Sequence, residues 1–295
     1  MRDLFRALRR APLAFISLIV VLIYVFAAIA PGLLAPYEVF DLTKISLMDS
    51  FIPPVWLDGG DWRFPLGTDD QGRDIISATI YGIRISLMVS IAGVILALLI
   101  GVVAGLVAGF FGGAFDAFLM RIADIQLTFP AILIAVLIDG VARAAVGQAA
   151  RDQLSVIVLI IAIGLSGWVQ YARSVRAATL VERERQYVKA ARLIGISKLS
   201  IMFGHILPNV LTAVLVLATI HLATAIILEA TLSFVGLGIP PTTPSLGTLI
   251  SIGNGFLLSG EWWMAIFPGA VLALLVLCVN LLGDFLRDAL NPRLR

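Results

Sequence analysis

The sequence has little of the chemistry that soluble enzymes use. It holds one cysteine and two histidines among 295 residues, and only 14% of its residues are charged. A single cysteine excludes a disulfide framework and a cysteine-rich metal site. With 60% hydrophobic residues, the chain also has too little polar surface to cover a soluble core. An ordinary soluble domain is therefore excluded.

Catalytic and nucleotide-binding motifs are also missing. The sequence contains no G-x-x-x-x-G-K-[ST] loop, so we expect no ATP hydrolysis by this chain alone. It has no H-E-x-x-H or G-x-S-x-G motif, and His205 and His221 do not form a metal-binding pair. The segment from Thr68 to Asp74 lacks the spacing and the distal glutamate of a calcium loop. We predict a protein that is not an enzyme and has no catalytic residue or metal site.

Long apolar runs make up most of the chain. A membrane-spanning helix needs about 20 apolar residues, and continuous rather than alternating runs select helices over a β-barrel. We predict an all-α, polytopic membrane protein with six transmembrane helices. In the third, Arg121 and Asp124 are spaced to pair with each other. The predicted spans are 12–34, 83–111, a third that begins at about 115, 153–172, 206–234 and 262–283.

The distribution of basic residues predicts the orientation. If the amino terminus lies inside, the inner segments hold 15 of the 21 Lys and Arg residues, including seven between 173 and 204. This bias favours N-in and C-in. A cleavable signal peptide is the alternative for the first span, but its apolar run is longer than usual, which favours a retained helix. The predicted regions are a cytoplasmic amino terminus (1–11), a periplasmic loop (35–82), a five-helix core (83–283) and a cytoplasmic carboxyl terminus (284–295).

A charged segment interrupts the apolar runs between residues 182 and 209. It predicts two short helices that meet at Gly195, because apolar residues recur at helical spacing on both sides and glycine commonly ends a helix. Ser197 is placed to cap the second helix. Such a pair can dock another protein; a basic loop that binds only anionic lipid is the alternative. The predicted apolar faces are Tyr187, Val188, Ala191 and Ile194 in the first helix, and Leu199, Met202, Phe203 and Ile206 in the second.

Small residues recur at every fourth position of the second span. Such a stripe lets two helices approach closely. The sequence leaves open whether the partner helix lies in this chain, the favoured interpretation, or in a second subunit. Trp262 and Trp263 open the last span, where we expect them to anchor it at the membrane interface. The stripe consists of Gly93, Ala97, Gly101, Gly105 and Gly109.

Ionisable residues are rare inside the predicted spans. Glu229 is the one clear carboxylate, and His221 lies about 12 Å before it along the same helix, too far for a direct bond. Either residue could line a translocation path or bind a neighbouring element, and for Glu229 the structural role is favoured. An ion-coupled carrier or a channel without an ATPase is the alternative function. Such a carrier would usually show a relay of two or three groups, which the sequence lacks.

The 182–209 segment resembles the EAA loop of ABC importer permeases. That loop reads E-A-A, three residues, G, nine residues and I-x-L-P. Lys189 stands here in place of the glutamate and His205 in place of the first isoleucine. Both departures resemble the dipeptide and oligopeptide branch, which has Y-V-x-A-A-R and H-I-L-P-N. The residues that carry the match are Tyr187, Val188, Ala190, Ala191, Arg192, Gly195, Leu207 and Pro208.

Three further motifs are similar to that branch. The run at 110–113 resembles its aromatic-Gly-Gly turn, and the run at 229–238 its E-A-x-L-S-F-L-G-L-G segment, with Val235 in place of the leucine. With them the resemblance covers nearly the whole chain, and the type is that of the second, C-type permease. Its G-T-D-x-x-G-R-D signature matches Gly67, Thr68, Asp69, Gly72, Arg73 and Asp74.

The resemblance implies a division of labour in a bacterial inner membrane. A second, homologous permease would form a heterodimer with this chain, two cytoplasmic ATPases would bind ATP and Mg²⁺, and a periplasmic binding protein would deliver the solute. This chain would have the type I importer permease fold and would hold no cofactor and no nucleic acid. The 182–209 segment would couple it to an ATPase. The resemblance does not choose among dipeptides, oligopeptides, nickel chelates, glutathione and opines.

Overall fold

Helices form nearly all the regular structure. The computed structural model describes residues 8, 11–39, 45–145 and 148–290. In this part no strand occurs, so the all-α prediction is confirmed. Most of the predicted cytoplasmic amino terminus and residues 291–295 of the predicted carboxyl terminus lie outside the described residues. From Pro12 onwards we label the helices α1 (Pro12–Ile29), α2 (Ile75–Phe111), α3 (Gly113–Leu127), α4 (Ala131–Ala145), α5 (Gln148–Glu182), α6 (Gln186–Leu193), α7 (Leu207–Phe234), α8 (Leu246–Phe256) and α9 (Trp263–Leu290).

The third predicted span is broken. The helices α1, α2, α5, α7 and α9 are each long and apolar enough to cross a membrane, whereas α3 and α4 meet at an angle of 95°. Pro130 explains the break, because proline lacks an N–H group and disfavours helical geometry in the residue before it. The described chain therefore has five such helices, or six spans if the bent pair counts as one.

The predicted pair of Arg121 and Asp124 is not formed. Both side chains are exposed, and no ion pair joins them in the described part of the chain. Instead, α3 is tied to α5 by Arg176, which makes a bidentate ion pair with Asp116. The Nη2 to Oδ2 distance of this pair is 2.7 Å.

The small-residue stripe of α2 packs against α5 of the same chain. A Cβ atom added to Gly101 would lie 2.5 Å from the Trp168 carbonyl oxygen, and one added to Gly105 would lie 2.4 Å from the Ala172 carbonyl oxygen. Real side chains do not approach backbone atoms so closely. The two backbones meet only because these positions carry no side chain. The interpretation within one chain is therefore correct, and the second-subunit interpretation is wrong.

Several helices extend or add to the predicted ones. Helix α2 begins at Ile75 rather than 83, because Asp74 caps it by accepting a bond from the Ser77 N–H at 2.8 Å. Helix α5 continues to Glu182, at the border of the charged segment. Helix α8 lies in the loop predicted between the last two spans, and its 11 residues reach about 16 Å, too short to cross a membrane.

Candidate functional site

The 182–209 segment folds into short helices that meet at a turn centred on Gly195. Gly195 has a φ angle of +83°, which glycine adopts without strain. Around it the Ile196 N–H bonds to the Ala191 carbonyl at 3.1 Å and the Gly195 N–H to the Arg192 carbonyl at 3.2 Å, the two bonds of a Schellman motif. Ser197 caps the next helical turn by accepting a bond from the Ser200 N–H at 3.2 Å. The predicted helix end and cap are confirmed.

One face of the segment is buried against the membrane helices. Its inner side chains share a core with the ends of α2 and α5 and the start of α7. This packing fixes the segment to three spanning helices at once. The buried residues of the segment are Val188, Ala191, Ile201, Met202 and Ile206, and their partners include Leu106, Phe110 and Val175.

The other face exposes apolar side chains. Leu193 is 88% exposed and Ile194 76% exposed, with Leu199 and Phe203 beside them in the sequence and also exposed. The prediction that Tyr187 and Ile194 share one face with Val188 and Ala191, and that Leu199 and Phe203 share one face with Met202 and Ile206, is therefore wrong. Ile194 has left the helix as its C-cap, and a π-helical turn over Met202–Ile206 changes the spacing at which residues share a face.

Tyr187 connects three elements through its hydroxyl group. It donates a hydrogen bond of 2.6 Å to Glu182 at the end of α5. The Asn209 amide, in the first turn of α7, donates to the Tyr187 oxygen at 3.0 Å and to the His205 carbonyl at 2.8 Å. Burial, followed by the bond to the Glu182 carboxylate, raises the pKa of Tyr187. The hydroxyl therefore stays protonated and donating at neutral pH.

Two arginines hold the segment to the end of α2. Arg183 donates from Nη1 to the Gly109 carbonyl at 2.8 Å, and the Arg192 guanidinium lies 5.7 Å from the centre of the Phe110 ring. Lys189 points outward and pairs with Glu184 at 3.5 Å. Of the other predicted residues, Ala190 is exposed, and Leu207 and Pro208 form the first turn of α7, where proline is well tolerated.

The G-T-D-x-x-G-R-D motif folds around a buried ion pair. Asp69 and Arg73 lie 2.6 Å apart with side chains only 3% and 2% exposed. The other Asp69 oxygen accepts the N–H groups of Gln71 and Arg73, each at 2.9 Å. Arg73 also donates from Nη1 to the Pro241 carbonyl at 3.0 Å. The motif thereby fixes the non-helical loop between α7 and α8.

The same motif binds the start of α9. The indole N–H of Trp263 donates to the Thr68 carbonyl at 3.1 Å. A Cβ atom on Gly67, whose φ is +85°, would lie 2.9 Å from that indole nitrogen, and one on Gly72 would lie 2.2 Å from the Ser46 carbonyl. Trp263 is buried by these contacts, so its predicted role as a membrane-interface anchor is wrong.

Glu229 and His221 lie in separate polar groups. Glu229 is fully buried and accepts a bond of 2.8 Å from the Ser233 hydroxyl. The hydroxyls of Ser86 and Ser245 lie near the same carboxyl group, and Ser86 also accepts the N–H of Leu246 at the start of α8. The ring of His221 is 3.0 Å from the Tyr171 hydroxyl in α5. Glu229 therefore sits where α2, α7 and α8 meet.

Sequence reasoning missed several of these partners. Arg183 and Asn209 lie within or beside recognised motifs, so their position was a usable signal. Ser86 and Ser245 gave no signal, because 159 residues separate them in the sequence and each is an unremarkable serine in an apolar context.

The arrangement of helices is that of an ABC importer permease. A solved structure, an inward-facing conformation of the MetNI methionine ABC transporter, matches with a TM-score of 0.57 over 73% of this chain and 97% of that chain. At 21% identity the match establishes the fold alone.

Sequence comparison assigns the family. The chain belongs to the binding-protein-dependent transport system inner membrane components, whose family model matches residues 101–295. The N-terminal transmembrane domain of oligopeptide transport permease C matches residues 1–54. The dipeptide transport system permease protein DppC of Escherichia coli K12 is 42% identical over 96% of this chain and 89% of its own length. The di/tripeptide permease DppC of Pseudomonas aeruginosa is 37% identical over 95% and 88%.

Membership settles the class of function. The chain is an inner-membrane permease subunit of an ABC importer and is not itself an enzyme; ATP is hydrolysed by a separate subunit. Such permeases work with an ATPase, a binding protein and a second permease. The alternative of a carrier or channel without an ATPase is not supported.

Proposed function

We propose that this permease carries short peptides, dipeptides or a closely related small solute, into the cell. The relatives at 37–42% identity that cover nearly the whole chain are named for dipeptide or di/tripeptide transport. The chain forms a heterodimer with a second, homologous permease and receives its solute from a periplasmic binding protein. ATP and Mg²⁺ bind to the two ATPase subunits, and this chain holds no cofactor.

The 182–209 segment is the docking point for one ATPase in this proposal. The observation that carries it is the division of the segment into a buried face, which packs on α2, α5 and α7, and an apolar face exposed at Leu193, Ile194, Leu199 and Phe203. Because its helices are capped on both sides of Gly195 and its inner face is packed, the segment passes a rigid-body motion to the spans. Both termini and the segment then lie in the cytoplasm, as the basic residues predict.

Leu193→Glu tests docking without disturbing the core, since this side chain is exposed. We expect the variant to insert in the membrane and keep its melting temperature, but to lose co-purification of the ATPase and ATP-driven uptake. Leu258→Glu is the matched control, because Leu258 is fully exposed at the opposite end of the bundle. Normal ATPase assembly and uptake in Leu193→Glu would contradict the docking assignment.

Gly195 tests whether rigidity of the segment matters. Gly195→Pro removes the N–H bonded to the Arg192 carbonyl and imposes a negative φ where the chain needs +83°. Gly195→Asn is the control, because asparagine tolerates the left-handed conformation. We expect uptake to be lost in Gly195→Pro and largely kept in Gly195→Asn. A charge placed at the buried Ala191 should abolish uptake as well. Retained, ATPase-coupled uptake in Gly195→Pro would overturn the coupling role.

The solute is tested separately on the cognate binding protein. Calorimetric titration with dipeptides, longer peptides, nickel chelates, glutathione and opines identifies the class that binds. We expect dipeptides to bind most tightly, with vanadate-sensitive uptake of the same solute by the assembled importer. Tight binding of another class alone would refute the peptide assignment and leave the coupling role intact.

A further inference from the structure

A cavity of about 380 Å³ lies at the end of the bundle opposite the 182–209 segment. One wall comes from α4 and the start of α5, and the other from the end of α7, the loop 235–245 and α8. Its volume falls in the range of sites for small ligands. Its lining mixes apolar side chains with a few polar ones, as such sites do.

Three of the hydroxyl groups that line the cavity donate their hydrogens within the chain. Ser233 donates to Glu229 at 2.8 Å, Ser251 to the Phe234 carbonyl at 2.6 Å, and Thr248 to the Ile239 carbonyl at 3.2 Å. A hydroxyl has one hydrogen and two lone pairs, so only acceptor capacity remains on these three oxygens. The polar part of this wall therefore suits a ligand that donates hydrogen bonds.

A carboxylate faces these hydroxyls from the opposite wall. Asp139 of α4 lines the cavity and is buried, and it makes an interaction of its own within the chain. A carboxylate offers about four acceptor sites, so one interaction does not exhaust it. Among the described residues that line the cavity, none is lysine, arginine or histidine. Behind this wall, Glu229 accepts the hydrogen of the Ser233 hydroxyl.

We propose that this cavity binds a protonated amine, with Asp139 and the three hydroxyl oxygens as acceptors. Resting on the proposed function, the amine is the N-terminal ammonium of the transported peptide. The apolar lining, which includes Val158 and Ile252, accommodates the rest of the solute. Asp139 is thereby a residue that binds solute on the permease itself.

Because the chain has a single native cysteine, thiols can be introduced at chosen positions to probe the charge of the cavity by labelling. Cys278 is buried in α9 and is replaced by alanine to give a background without thiols. Ser251→Cys then places a thiol in the cavity, and Ser259→Cys places an exposed control thiol just beyond α8. In the assembled importer, we measure reaction with cationic 2-aminoethyl and anionic 2-sulfonatoethyl methanethiosulfonate.

We expect the ratio of cationic to anionic rates to be about tenfold higher at position 251 than at 259, because the Asp139 carboxylate attracts the ammonium reagent. Adding Asp139→Asn should bring the ratio close to that at 259, whereas Asp124→Asn, which removes an exposed carboxylate of α3, should leave it unchanged. Ala-Ala at millimolar concentration should slow labelling at 251, and N-acetyl-Ala-Ala should not.

Three outcomes overturn the proposal, and none depends on the Asp139 variant folding. These are equal ratios at 251 and 259, an unreactive thiol at 251, and equal protection by the free and the acetylated dipeptide. Vanadate-sensitive uptake is measured in the importer that keeps Ser251. Charge-selective labelling and protection without peptide uptake would refute the proposed function and keep the amine site.

Discussion

The Tyr187 hydroxyl lies 2.6 Å from a carboxylate oxygen of Glu182, and this bond joins α6 to the end of α5. The same hydroxyl accepts the bond from Asn209 at the start of α7. One phenol thus fixes the angle between the docking segment and two spanning helices.

Tyr187→Phe should weaken coupling more than stability. The variant keeps its ring but loses both hydroxyl bonds, at a cost of roughly 0.5–1.5 kcal/mol, because both bonds are exposed to solvent. We expect ATPase association to persist while solute carried per ATP hydrolysed falls several-fold. Tyr37→Phe, which removes a hydroxyl bond to the Arg63 carbonyl, is the control and should leave this ratio unchanged. An unchanged ratio in Tyr187→Phe would show that the bond has no coupling role.

Gly105→Ala should force α2 and α5 apart. The added Cβ atom would meet the Ala172 carbonyl oxygen at 2.4 Å, and overpacking of this kind costs roughly 1–3 kcal/mol. Gly140→Ala in α4 is the control, because nothing lies within 4 Å of its added Cβ atom. Thermal unfolding in detergent should show a lower melting temperature for the first variant alone. Equal melting temperatures would mean that the helices are not in contact at Gly105.

Asp69→Asn should destabilise the fold strongly. It leaves Arg73 buried without its counter-charge, and breaking a buried pair costs roughly 3–5 kcal/mol. Asp61→Asn breaks an exposed pair with Arg63 and should have little effect. Because Arg73 also holds Pro241, we expect faster proteolysis of the loop 235–245 in Asp69→Asn, detected by mass spectrometry of the fragments. Equal proteolysis in the two variants would exclude this link.

Asp74 should make stability fall as pH rises through the acidic range. Burial raises its pKa above the value of about 3.9 in an unfolded chain, so the folded state holds the proton more tightly. This stabilisation is complete below the unfolded pKa and is lost as pH rises through the folded pKa. Asp74→Asn keeps the helix cap and should reduce this slope in melting temperature.

Asp61 supplies the control of opposite sign. The Arg63 backbone N–H and guanidinium lower its pKa, so its contribution is present above the unfolded pKa and is lost as pH falls. Asp61→Asn should therefore remove a slope in the other direction. The same change in slope for both variants would contradict the assignment.

Glu229→Ala should separate structure from transport. Alanine leaves the Ser233 hydroxyl without its acceptor and a void near Ser86 and Ser245, at roughly 2–5 kcal/mol. Glu229→Gln still accepts the Ser233 bond, so its melting temperature should stay near that of the parent. A stable Gln variant with reduced uptake would assign the carboxylate to the solute path; a Gln variant as unstable as Ala would show that the negative charge itself holds the helices.

Local sequence patterns predicted the long helices and the turn at Gly195, since each depends on residues close in the chain. The break in the third span also had a local sign in Pro130. Helix α8 was not predicted, because its glycines are typical of a loop. Gly253 is needed there for another reason: its added Cβ atom would lie 2.4 Å from the Ala265 backbone nitrogen in α9.

Contacts between distant residues could not be predicted in this way. Ser86, Glu229 and Ser245 meet only once α2, α7 and α8 have packed together. Likewise, the burial of Trp263 depends on Thr68, which lies 195 residues earlier. Trp263 was predicted to be a membrane anchor because it opens an apolar run. The residue that accepts its indole hydrogen bond lies in a distant region of the sequence and could not be recognised.

The small-residue stripe, along which α2 packs against α5, has a mechanical consequence. Two backbones in direct contact cannot slide past each other without separating, so α2 and α5 rotate together as one rigid body. At 1.5 Å per residue, the 35 residues of α5 form an arm of about 50 Å. A rotation of about 5° imposed at the 182–209 end would then displace the far end, beside the cavity, by about 4–5 Å.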